Sequence, residues 1–225
     1  MQKLKAFTLA EIIITMGIVG VIAAMTVPDL VSDYQNKTMA VQIRKFSNDL
    51  NEAVDLYLTD KGKNSLASTN IYSDLTDFVN NKYFSLAKSC LPEAPGCFAS
   101  ENYYSMDQTK NSAFKCSGNS YTLSNSVAIC PTIITTETTI NKPTGGKITY
   151  VTKEIQINVD INGPEPPNIG GRDMFKFSIT DTGKIEDDIE HESLVEKLHC
   201  KEQPLGKSCF TRLKNNNFKM DSSYY

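Results

Sequence analysis

From residue 12 to residue 27 every side chain is apolar, Gly or Thr, and residues 7–10 extend the stretch to about 20 residues broken only by the carboxylate of Glu11. A run of that length crosses a bilayer as a helix. A core helix of a soluble domain would show a polar stripe, and residues 12–27 show none. The lone acid is the second constraint. A carboxylate in lipid costs a few kcal/mol, so Glu11 is expected to have a partner of opposite charge. Lys3 and Lys5 precede the run, which by the positive-inside rule keeps the extreme N-terminus in the cytoplasm and sends the remainder across. A secretory signal peptide also combines a basic start, an apolar stretch and small residues such as Ala23 and Ala24. Such a peptide would have an unusually long apolar region here and no use for Glu11.

Beyond Pro28 the pattern becomes amphipathic. Met39, Ile43, Phe46, Leu50, Ala53 and Tyr57 recur at steps of four and three, Val54 and Leu58 widen the stripe, and Gln42, Arg44, Lys45, Asp49, Asn51, Glu52 and Asp55 fill the other face. Gly62 is the expected C-terminal cap. Pro28, which lacks a backbone donor, is expected to kink or locally melt the helix, the alternative being a plain helix end; the periodicity that resumes beyond it favours the kink. One helix is therefore predicted from Phe7 to Asp60, with a membrane and assembly half at residues 7–28 and an amphipathic half at residues 29–62.

The leader and the start of this helix carry a resemblance. Lys5-Ala6-Phe7-Thr8-Leu9-Ala10-Glu11, the apolar run and Pro28 resemble the N-terminal signal of type IV pilins and of the pseudopilins of type II secretion, over roughly residues 1–60. Ala6 stands where that family usually has Gly. The resemblance implies that residues 1–6 are a leader, that a prepilin peptidase cuts between Ala6 and Phe7 and methylates the new amine, and that Glu11 pairs with the Phe7 amine of a neighbouring subunit in a fibre. It implies as partners other pilin or pseudopilin subunits, the peptidase and the cytoplasmic membrane. The protein would cross that membrane once, with its N-terminus in the cytoplasm, before joining a surface or periplasmic fibre. A freshly cut α-amine, positive at neutral pH, is a physically apt partner for Glu11.

Residues 63–225 are long enough for one compact domain. The chain has a formal net charge of −3, and loss of Lys3 and Lys5 takes it to −5. That balance does not suggest nucleic-acid binding, although Lys207, Arg212, Lys214 and Lys219 could form a local basic stripe. All six cysteines, Cys90, Cys97, Cys116, Cys130, Cys200 and Cys209, lie on the exported side and read as three disulfides with fifteen possible connectivities. The local pairs Cys90 with Cys97, Cys116 with Cys130 and Cys200 with Cys209 are favoured, because chain neighbours meet most easily. A zinc site fails on spacing: no CxxC occurs, and His199 has only the distant His191.

A short helix is predicted over Leu75, Phe78, Val79, Lys82, Tyr83 and Leu86, then strands over residues 120–130, 132–140 and 147–161, with a turn at residues 142–146. Phe175, Phe177 and Ile179 alternate as another strand, residues 181–184 read as a hairpin turn, and Ser193 with Glu196 reads as a capping box. The fold class is α+β, a long N-terminal helix laid on an antiparallel sheet, the order a pilin also implies. The resemblance extends generically to the tail, where a disulfide loop and a terminal strand would close the sheet, with Tyr224 and Tyr225 exposed or frayed.

In the segment 159–175, Asp160, Asn162 and Asp173 surround a Gly/Pro loop. Their oxygens suit Ca²⁺, and the loop loosely resembles the calcium loop of major pseudopilins, but it lacks EF-hand spacing. The same residues also read as a rigid turn in which Asp160 and Asn162 bond their own backbone, the reading the pattern favours. No other cofactor is expected. No GxSxG, HExxH or phosphate loop occurs, and the acids at 186–190, with Asp187 and Asp188 adjacent, read as a solvated surface, so a catalytic role is not expected. The expected function is a structural subunit of a pilus-like or pseudopilus fibre. The alternatives are a minor subunit for DNA uptake or adhesion and a monomeric anchored enzyme.

Overall fold

The computed structural model describes residues 8–94, 96–141, 146–187, 200–221 and 223–225. Ala6, Phe7, the leader lysines, most of the 142–146 turn, Asp188, both histidines and the Ser193/Glu196 box lie outside them.

Helix α1 spans Leu9–Lys61 without a break and carries Pro28 inside it. The helix neither ends nor melts at Pro28, so only the Ala24 carbonyl loses its i+4 donor. Its C-terminus is set by Gly62 in the left-handed region (φ 61°), whose N–H reaches the Leu58 and Thr59 carbonyls. The stripe read from the sequence is the buried face: Met39, Ala40, Ile43, Phe46, Leu50, Ala53, Val54 and Tyr57 are all buried.

That face lies on a six-stranded, wholly antiparallel sheet of spatial order β1-β4-β5-β6-β7-β8: β1 Leu86–Cys90, β4 Ser120–Leu123, β5 Ala128–Asn141, β6 Lys147–Asp160, β7 Met174–Ile179 and β8 Ile185–Asp187. A separate short pair, β2 Tyr103–Tyr104 and β3 Asn111–Ser112, stands apart. The period-two alternation sorts β6 and β7 cleanly. Ile155, Ile157 and Val159 of β6 and Phe175, Phe177 and Ile179 of β7 are fully buried in the same cluster as α1, with the Phe46 and Phe177 rings 5.8 Å apart. The opposite parity gives a second core, in which Ala128, Cys130 and Met174 pack with Cys90, Cys97, Phe98, Tyr103 and Cys116. The sheet thus has α1 on one face and the disulfide-tied 90–116 region on the other.

The three disulfides join Cys90 to Cys97, Cys116 to Cys130 and Cys200 to Cys209, at Cα separations of 6.1, 5.8 and 4.8 Å. The turn at 181–184 is present, with the Thr180 N–H donating to the Lys184 carbonyl at 2.9 Å. Asp181 in that turn accepts from the Ser65 hydroxyl and the Ala67 N–H, tying the end of α1 to the sheet.

Several expectations are corrected. The helix read over residues 75–86 is a single 3-10 turn, Leu75–Asp77, followed by turns and then β1. Asn80 and Asn81 cause this: the Asn80 side chain donates to the Asp77 carbonyl and accepts from the Lys82 N–H, and the Asn81 side chain accepts from the Leu86 N–H. The apolar residues of the segment instead collect round Tyr57, with Phe78 at 5.3 Å and Tyr83 at 5.5 Å.

The strand read over 120–130 is cut by a turn at Ser124–Ser126, while the break read at Pro131 is absent. β4 pairs with β5 only through Ile129, so Pro131 falls where β5 has become an edge strand, a place that tolerates proline. The tail forms helix α2, Cys209–Asn215, and not a terminal strand. Tyr224, expected at the surface, is fully buried. Its hydroxyl donates to the Gly171 carbonyl, while Arg212 donates to the Tyr224 carbonyl at 2.9 Å. Asp187, read as solvated, is buried in β8 and accepts from the Phe210 and Thr211 N–H groups, supplying α2 with a cap from another element.

Candidate functional site

Two regions carry unspent chemistry, and they meet where α1 leaves the domain. The first is the N-terminal half of α1. Leu9, Ile13, Val19, Met25 and Leu30 are 75, 62, 64, 72 and 70 % exposed, and the segment is long and apolar enough to cross a membrane. Leaving more than ten such side chains in water forfeits on the order of 20 kcal/mol, above the roughly 5–15 kcal/mol by which a domain is stable. This half therefore needs lipid or another apolar surface.

Thr8 is the N-cap, in extended backbone (φ −80°, ψ 152°), and Glu11 completes a capping box with it. The Thr8 N–H and hydroxyl both donate to Glu11 Oε2 at 2.8 Å, and the Glu11 N–H donates to Thr8 Oγ1 at 3.2 Å. Of the device read from the sequence, Glu11 and Pro28 are placed here, while Ala6 and Phe7 lie outside the described residues.

The second region is the loop between β6 and β7. Asp160 closes β6, Asp173 opens β7, and both side chains are fully buried. The Ile161 N–H donates to the Asp173 carbonyl at 2.9 Å, which pins the base of the loop. Asp160 accepts from the Tyr103 hydroxyl at 2.5 Å and from the Asn162 N–H at 3.3 Å. Asp173 accepts from the Ile169 N–H at 2.6 Å. The Asn162 side-chain amide donates to the Glu165 carbonyl.

The turn read from the sequence is therefore formed, but it leaves polar atoms over. Asn162 Oδ1, Asn168 Oδ1, Asp173 Oδ2 and Arg172 Nε are buried without a hydrogen-bond partner. Burial pushes the Asp160 carboxyl up to about 7. Burial first, and the neighbouring Asp160 second, push Asp173 to about 8. The same burial and the Asp160 charge raise the Tyr103 hydroxyl well above the usual tyrosine range. Among the described residues no three His, Cys, Asp or Glu side chains converge. Of these acids, Asp160 and Asp173 are near enough to interact.

The loop is wedged in place. Gly171 has φ +80°, and a Cβ there would lie 2.8 Å from the Cys209 sulfur and 2.2 Å from Met106, so only glycine fits. Arg172 donates to the Gln35 side chain at 3.3 Å and the Tyr225 hydroxyl donates to Asn36 at 3.1 Å, so loop and C-terminus both grip α1 just beyond its apolar half. Tyr103 and Asn168 were not singled out from sequence, and Asp187 and Tyr224 were read as surface residues. Their roles depend on long-range partners, and no spacing marks them. The basic stripe is broken up: Arg212 is committed to the tail and Lys207 is half-buried, while Lys214 and Lys219 are exposed. Comparisons of the chain with protein-family models, curated proteins and solved structures return no match.

Proposed function

We propose that the chain is a structural subunit of a type IV pilus-like or type II pseudopilus fibre. It is inserted in the cytoplasmic membrane through residues 7–28, cut between Ala6 and Phe7, and packed into the fibre through α1. The observation that carries this reading is the uninterrupted course of α1 from an exposed, wholly apolar half into a half buried on the sheet. Such a rod can leave lipid only by exchanging it for other apolar helices, and a bundle of copies supplies them. Glu11 would then meet the ammonium of a neighbouring Phe7.

Replacing Glu11 with Ala tests the pairing. The Glu11→Ala chain is expected to fold, insert and be cut, as read by intact mass, yet to stay out of fibres; normal assembly would refute the charge pairing. A second reading concerns calcium. Three buried oxygens without donors, Asn162 Oδ1, Asn168 Oδ1 and Asp173 Oδ2, fit a hard cation that takes oxygen ligands, and Asp160 would add negative charge. In that reading calcium stiffens the junction between loop and α1.

A further inference from the structure

Contacts at the two ends of β7 fix how the sheet runs along α1. Arg172, just before β7, donates to Gln35, and Asp181, just after it, accepts from Ser65. β7 therefore runs from the apolar half of α1 towards its far end, and the antiparallel β6 runs back. β7 stops opposite Ile155, yet β5 and β6 continue as a two-stranded ribbon over residues 134–141 and 147–154, on the order of 25 Å past the sheet. The ribbon leaves the domain at the pole opposite the membrane half.

Among the described residues each strand of the ribbon has an unpaired outer edge. Main-chain groups of antiparallel strands alternate sides. The Leu123 N–H donates to the Val127 carbonyl at 2.8 Å, so odd-numbered residues of β5 face β4; beyond it Ile133, Thr135, Glu137 and Thr139 turn their N–H and C=O groups outward. Pro131, on the same edge, has no donor to lose. On β6 the Ile161 N–H donates to the Asp173 carbonyl at 2.9 Å, so Thr149, Val151 and Lys153 face outward on the other edge. The two edges are protected differently. Lys147 and Lys153 guard β6, a device that discourages strand addition. From Ile133 to Ile140, β5 has no lysine, proline, glycine or register shift, and Glu137 is its only charge.

We infer that the outer edge of β5 beyond Pro131 is a docking edge, which takes up an extended segment of a second copy of this chain through main-chain hydrogen bonds. This rests on the fibre reading above. Copies that share the direction of α1 stack with the far pole of one towards the near pole of the next, so the ribbon reaches alongside its neighbour. The contact joins unlike surfaces, the kind that propagates along a fibre instead of closing a dimer. Main-chain bonds supply the affinity of such strand addition, and neighbouring side chains supply the fit. Ile140 and Tyr150, 54 and 50 % exposed on one face of the ribbon, offer apolar contact beside the edge.

The test uses the full-length chain expressed with a prepilin peptidase and a pilus assembly apparatus. Thr139 and Thr149 lie opposite each other, their hydroxyls 3.0 Å apart, and each turns its N–H outward, one on either edge. Thr139→Pro and Thr149→Pro therefore break the same side-chain bond, spare the main-chain bonds between β5 and β6, and differ in which edge loses a donor. Intact mass reports processing, melting of the detergent-solubilised chain reports folding, and the sedimentable fraction of cut protein reports assembly. Both variants are expected to be cut and to melt like the parent. Thr139→Pro is expected to assemble about tenfold less, and Thr149→Pro like the parent. A benzophenone amino acid in place of Thr135 is expected to give, in fibres, an adduct of twice the chain mass.

Equal assembly of the two proline variants, whether parent-like or reduced, would overturn the docking edge and leave the fibre reading standing. An adduct only with a different protein would overturn the second copy as occupant. If Thr139→Pro does not fold, Glu137→Lys decides in its place, since it guards β5 as Lys153 guards β6 and leaves the main chain intact: about tenfold weaker assembly supports the edge, and parent-like assembly overturns it. A parent chain that is cut but never forms fibres would remove the fibre reading and this inference with it.

Discussion

Replacing Asp173 with asparagine should stabilise this protein at neutral pH in the presence of a calcium chelator. Asp173 is fully buried, one of its oxygens has no donor, and burial together with Asp160 raises it from 3.8 to about 8. A carboxyl raised in the folded state binds a proton that the unfolded chain has already released. Between pH 4 and pH 8 the folded form thus holds more protons, and stability falls as pH rises through that window. Each pH unit is worth about 1.4 kcal/mol for one proton, so carrying an ionisable Asp173 at pH 7 costs the fold about 4 kcal/mol. Asp160, raised to about 7, does not double this cost, because ionising either acid holds the proton on the other.

The amide introduced by Asp173→Asn keeps an oxygen for the Ile169 N–H and has no charge to bury. Thermal unfolding of the detergent-solubilised chain, with disulfides intact, is expected to show the Asp173→Asn variant melting about 10 °C above the parent at pH 7.5. The gap should shrink to about 1 kcal/mol or less near pH 4.5. A gap that does not change with pH, or a variant less stable than the parent at pH 7.5 in chelator, would refute the electrostatic reasoning.

Calcium should narrow that gap: at about a hundred times its dissociation constant it adds about 2.7 kcal/mol to the parent, read as a rise in melting temperature, and adds nothing to Asp173→Asn. Phe46→Ala removes the ring that packs on Phe177 and should cost about 3–5 kcal/mol in denaturant unfolding. Asp187→Ala strands the Phe210 and Thr211 N–H groups and should cost about 1–3 kcal/mol, with faster amide exchange in α2 as its local signature.

What the sequence made legible was whatever repeats at short range. The steps of four and three from Met39 to Tyr57, the alternation of Ile155 with Ile157 and Val159, Gly62 as cap and the three near-neighbour disulfides all depend on spacing within one element or one loop. The segment from Leu75 to Leu86 was misread because its apolar residues obey helical spacing while Asn80 and Asn81 spend their side chains on the backbone. Asp187 and Tyr224 were misread for the opposite reason. An acid in an acidic run and a tyrosine at a terminus look solvated until the fold brings α2 to one and Gly171 to the other. In the 159–175 loop the ligand-type residues were legible, but the enclosure that raises Asp160 and Asp173 was not, since Tyr103 arrives from a segment without periodicity.

The register of β5 against β6 runs unbroken from Ala128 opposite Asp160 to Asn141 opposite Lys147, whereas β7 accompanies β6 only from Ile155 onward. The outer rungs are a ladder held by its own two rails. Opening them exposes little apolar surface, so they should unzip from the tip inward without disturbing the sheet, and their amides should exchange in a graded series that reaches core protection near Ile155. The domain should thus have a protected floor and a fraying spire, and a protease that nicks the spire should leave the floor folded around α1.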